Sequence, residues 1–64
     1  MRITVLRQRM AEEFGTIRAD HLTRDYVFSG LDGRTVEQAI DEGLSAREIW
    51  REVCTTFDIP DERR

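Results

Sequence analysis

Apolar residues along the 64-residue chain recur at helical rather than strand spacing. The clearest case lies between Leu44 and Pro60. At about 100° per residue, Ala46, Ile49, Trp50, Val53, Cys54 and Phe57 fall on one side of a helix. Arg47, Glu48, Arg51, Glu52, Thr55 and Thr56 fall on the other. Ser45 reads as the N-cap, and Glu48 three residues on completes a capping-box pattern. Pro60 biases Ile59 away from helical dihedrals. The pattern predicts a helix over 46–57. A buried Trp removes roughly 200 Å² from water, so Trp50 is expected at the centre of the core.

Three more helices follow from the same reasoning. Ile3, Leu6, Met10 and Phe14 make a narrow stripe for a helix over 4–14, capped by Thr4 and stopped by Gly15. The opening Ile-Thr-Val-Leu could start a strand, but no alternation continues past Leu6. A second helix is expected over 16–29, ended by Gly30. Ala19, Leu22 and Tyr26 share one of its faces, Ile17 and Phe28 another, and Val27 a third. An apolar run of this kind suits a helix entering the middle of the fold. Leu31-Asp32-Gly33-Arg34 reads as a turn. Thr35 and Gln38 form a second capping box, opening a helix over 35–42 with Val36, Ala39 and Ile40 inward and Gly43 as its stop. Leu44 is a hydrophobic staple, and 61–64 is expected to fray.

The expected fold is therefore all-α. It is one small domain of three to four short helices around Trp50, Phe57, Phe14, Leu22, Tyr26 and Ile40. A chain of this length buries only about 60% of its unfolded surface, which leaves room for one core. One cysteine and no signal-peptide pattern point to a reducing, cytoplasmic setting. No apolar run approaches the roughly 20 residues of a membrane span. No Cys/His cluster has zinc spacing, and no cofactor is expected.

Charge changes the picture of partners. The net charge is −3, with ten basic residues, all Arg. Such a composition fits a GC-rich genome. Residues 1–24 hold five Arg against three acids, whereas residues 25–62 hold three Arg against ten acids. An acidic body disfavours non-specific nucleic-acid binding, whose affinity comes largely from phosphate neutralisation.

The runs MRITVLRQRMAEEFG, DYVFSGLDG, GRTVEQAIDEG and REIWREVCTTFDIP resemble, in that order, a family of short actinobacterial proteins catalogued as a domain of unknown function. The likeness covers nearly the whole chain. It brings no catalytic or binding residues with it. It does imply that members are encoded near recombination genes, a hint of DNA maintenance. The chain departs from the family's pattern at Ala46, where Pro is common, and at Arg64, where Trp is common.

Candidate chemistry is sparse. Thr35 to Val53 loosely matches a helix-turn-helix, in which Arg47 and Arg51 could reach bases or phosphates and Arg34 could brace the backbone. Five acids against two Arg in residues 35–52 weigh against it, as does Glu42 beside the turn. His21, Asp25 and Cys54 could make a nucleophilic set only if thiol and imidazole met in space. Cys54 lies on the apolar side of its helix, and His21 is expected at the surface beside Asp25. Glu37, Asp41 and Glu42 form an acidic patch that would suit a basic partner. Arg2, Arg7, Arg9, Arg18 and Arg24 give the one basic region, with Arg9 and Glu13 placed for an i,i+4 pair. The leading expectation is a small non-enzymatic protein that binds another protein. The alternative is a helix-turn-helix-like nucleic-acid binder.

Overall fold

A computed structural model describes residues 1–64. Four helices run Ile3–Phe14 (α1), Thr16–Arg24 (α2), Val36–Asp41 (α3) and Ala46–Thr56 (α4). Two short 3-10 turns, Ser29–Leu31 and Asp61–Arg63, complete the order, and there is no named strand. The fold is all-α, and all helices share one core. The radius of gyration is 10.5 Å, close to the roughly 11 Å expected of a packed chain of this size. No helix is long and apolar enough to cross a membrane.

Gly15 alone separates α1 from α2, with φ 82° and ψ 157°, a region essentially reserved for glycine. Its N–H donates to Ala11 O at 2.8 Å and its carbonyl accepts from Ala19 N at 2.9 Å, so one residue closes one helix and opens the next. Arg2, not Thr4, is the N-cap of α1, and its side chain makes no capping bond.

The second helix is five residues shorter than its apolar pattern suggests. It stops at Arg24, with Asp25 as C-cap, and not at Ser29. The aromatic and β-branched run Tyr26-Val27-Phe28 prefers extended backbone. A helix would have pointed these three side chains to three sides, and the core receives only one. Leaving the helix lets Phe28 enter fully, at 0% exposure, while Val27 remains 54% exposed. Phe28 then pairs with Arg34 in an isolated antiparallel bridge, its N–H donating to Arg34 O at 3.0 Å. The Asp32-Gly33 turn between them has positive φ at both residues, 56° and 76°, the geometry that Asp-Gly supplies in tight hairpins.

Both capped helices begin as expected. Thr35 and Gln38 exchange both bonds of a capping box. Ser45 Oγ accepts from Glu48 N at 3.1 Å. α3 ends in a Schellman motif, with Leu44 N donating to Ala39 O and Gly43 N to Ile40 O. α4 ends in the same way at Asp58, whose φ is 53°, with Ile59 N donating to Cys54 O at 2.9 Å.

The core contains Leu22 and Trp50 as expected, but Phe28 is the largest side chain wholly inside. Leu6, Met10, Leu31, Val36, Ile49, Val53 and Cys54 pack with it. Phe14, Phe57 and Ile40 are only half-buried against this centre, and Tyr26 is 37% exposed. These four form the rim of the core, and Phe28 occupies its interior.

The last residues are docked, not frayed. Arg63 forms a bidentate pair with Glu13, with Nη2 donating to Oε1 at 2.9 Å. The Arg64 carbonyl accepts from Trp50 Nε1 at 3.2 Å and from Arg9 Nη1 at 3.1 Å. Arg64 Nε in turn donates to Ile59 O at 2.7 Å. Glu13 is therefore held by Arg63, and the local Arg9–Glu13 pair does not form. Trp50 is buried in the core cluster, and this last segment closes over its Nε1.

Candidate interaction surface

The face of α2 carrying Ala19, Leu22 and Thr23 is buried, which turns Ile17 outward. Ile17 is 88% exposed, the most exposed large apolar side chain in the chain. The tight turn at Gly15 sets it beside Phe14, the last residue of α1. Together with Thr16, Arg18 and His21 these residues line an open cleft of about 480 Å³.

An aromatic cluster continues this surface. Phe14 meets Phe57 edge-on at 5.2 Å between ring centroids. Phe57 lies 5.4 Å from Tyr26, and Tyr26 lies 4.8 Å from Phe28. The cluster is thus anchored on a buried ring and reaches the surface at its other end. Arg18 sits over it, with its guanidinium carbon 5.4 Å from the Phe14 centroid and 5.7 Å from that of Phe57. Such cation–π stacking is worth about 0.5–1 kcal/mol at an exposed site. Arg18 takes part in no ion pair or hydrogen bond, whereas Asp20 is held by Arg24 at 3.0 Å and Asp25 by His21 at 3.3 Å.

The residues singled out from the sequence are distributed differently. Arg34 is not a free cation: its Nε donates to Glu42 at 2.7 Å, and its Nη1 donates to Leu31 O at 3.1 Å and lies 3.5 Å from Asp32. Arg47 and Arg51 are exposed and unpaired on α4, with exposed Glu48 between them. The basic set of Arg34, Arg47 and Arg51 is therefore reduced to two. The acidic patch is also partly spent. Arg7 grips Glu37 through two hydrogen bonds of 2.7 and 2.9 Å, and Glu42 is taken by Arg34. These hydrogen bonds hold the Glu37 and Glu42 carboxyls below the ordinary carboxylate range. Asp41 alone of the three forms no direct ion pair, though Arg7 lies near enough to interact with it.

His21 Nδ1 lies 3.3 Å from Asp25 at the surface, as its spacing suggests. Cys54 has 0% exposure, and burial raises the pKa of its thiol. Its surroundings are those of a small hydrophobe, and thiol and imidazole do not meet. No three His, Cys, Asp or Glu side chains are placed to hold a metal ion.

Sequence reasoning did not single out Ile17 with Arg18. The available signal was an isoleucine lying off the Ala19–Leu22 face of its helix, next to a charged residue.

A family model described as a protein of unknown function (DUF3046) matches residues 1–62. The chain belongs to this family. As a DUF3046 member it is also similar to a Mycobacterium tuberculosis protein, Rv2742c, provisionally named as an envelope-preserving system protein. The two are 42% identical over 36 residues, 56% of this chain and 13% of that protein. The match thus spans about an eighth of the relative, which is a far longer polypeptide. No solved structure matches the DUF3046 chain.

Proposed function

We propose that this DUF3046 protein is a small, non-catalytic protein that works by binding another protein through the Ile17 surface. The observation that carries this reading is Ile17 itself, 88% exposed in a chain that buries most of its other large aliphatic side chains. An apolar side chain at the rim of an aromatic cluster gains by being covered, and such anchors dominate protein interfaces. A buried, unpaired thiol supports a reducing compartment, and the cytoplasm is the proposed location.

The test is comparative capture from a native extract with wild-type and Ile17→Asp baits. At least one protein should be retained reproducibly by the wild type and lost from the variant, while both give the same helical circular dichroism. No reproducible partner, or identical partner sets, would overturn the reading.

A further inference from the structure

We propose that the partner segment received by this surface is acidic as well as apolar, placing an aliphatic or aromatic side chain in the Ile17–Phe14 cleft and a carboxylate on Arg18. This rests on the protein-binding reading and specifies the chemistry of its ligand. Three features lead to it. The Arg18 guanidinium carbon lies 5.4 Å from the Phe14 ring centre and 5.7 Å from that of Phe57, and these cation–π contacts favour its place at the rim of the cluster. Its N–H groups have no acceptor within the chain, and a planar fork of donors is matched best by a carboxylate. No carboxylate of the chain pairs with Arg18, and of those nearest in sequence Glu12 lines a different cleft, with Arg9, Trp50 and Arg64. Asp20 is bound to Arg24, Asp25 to His21 and Glu13 to Arg63. Asp58, next to Phe57, is exposed and without a cation, and it would disfavour a ligand extending far in that direction.

Other occupants fit less well. A second copy related by a twofold axis would bring its own Arg18 to the same patch, setting like charges together. A nucleic acid would offer phosphates to Arg18, but it would meet a body of net charge −3 over its whole length. A short acidic peptide needs only one close pair, and charges beyond about 8 Å are largely screened at physiological salt.

Two measurements test the proposal. In the first, isotope-labelled protein is titrated at low salt with acetyl-Ile-Glu-Glu-Leu-amide and with its Gln-Gln counterpart, and amide shifts are followed. Saturable shifts are expected at Ile17, Arg18, His21 and Phe57, with the acidic peptide bound about threefold more tightly, the scale of an exposed ion pair. Arg18→Gln should erase that preference and Arg18→Lys restore most of it. Equal binding of the two peptides, or no saturable shift at Ile17, overturns the proposal. In the second, the native-extract capture is repeated with Arg18→Gln. Loss of the Ile17-dependent partner supports an acidic ligand. A partner lost on Ile17→Asp but kept on Arg18→Gln overturns the acidic ligand while leaving the protein-binding reading intact. A folded Ile17→Asp protein that keeps every partner overturns both. Self-association abolished by Ile17→Asp, or duplex DNA binding abolished by Arg18→Gln, would identify the wrong class of occupant and also overturn it.

Discussion

Asp58 is one of two non-glycine residues, with Asp32, whose backbone takes a positive φ. It terminates α4 in the left-handed region at φ 53°, where a Cβ is crowded by the backbone. Aspartate tolerates this better than most residues, yet its side chain forms no hydrogen bond that would offset the strain. What keeps it there is its neighbour. Ile59 must fold back so that its N–H reaches Cys54 O and its side chain enters the core at 3% exposure. Replacing Asp58 with glycine removes the crowding and keeps the motif. Asp58→Gly should raise the unfolding free energy by about 0.5–1 kcal/mol, read from the urea midpoint at unchanged slope.

At the scale of elements, Gly15 decides how α1 and α2 meet. A Cβ built at Gly15 would touch nothing, so any penalty for a side chain comes from its dihedrals alone. Gly15→Ala should therefore cost about 1–3 kcal/mol in denaturant unfolding although no contact is lost. This joint was legible in the sequence, as were the starts at Thr35 and Ser45, because caps and stops are local chemistry. The far end of α2 was not. Tyr26, Val27 and Phe28 carry apolar side chains that either a helix or an extended strand could bury. The choice depended on Arg34, six residues beyond Phe28, offering a carbonyl to its N–H. The candidate surface was hidden for a related reason. Residue spacing shows Ile17 off the main stripe, but only the packed structure shows that nothing covers it. It also shows that Arg18 lies over rings at the ends of two different helices, Phe14 closing α1 and Phe57 capping α4.

At the scale of the whole molecule, ion pairs link elements distant in sequence. Arg7–Glu37 joins α1 to α3, and Arg63–Glu13 joins the last turn to α1. Hydrogen bonding from Arg7 lowers the pKa of Glu37 in the folded state. A group with a lowered folded value binds fewer protons folded than unfolded. Its stabilising contribution is full above the unfolded carboxyl pKa of about 4.3 and is lost as pH falls through the folded value. Cys54 acts at the other limb. Burial raises its folded pKa, so its contribution is full below about pH 8.5 and lost as pH rises through the folded value. Stability should thus be flat near neutrality and fall on both sides. Glu37→Gln should make the acid limb shallower, measured by urea unfolding across pH. The loss at neutral pH should be under about 1 kcal/mol, because the pair is partly exposed and screened by salt.

The clasp of the Arg64 carbonyl on Trp50 Nε1 has a practical side. The chain has a single tryptophan, and its buried indole reports on the final turn as well as on the core it packs in. Emission from that ring registers both detachment of the last residues and opening of the core, whereas far-ultraviolet ellipticity registers the helices. A melting curve recorded by fluorescence alone would be blind to whether the two events coincide, and any tag appended after Arg64 would be read by the same lamp.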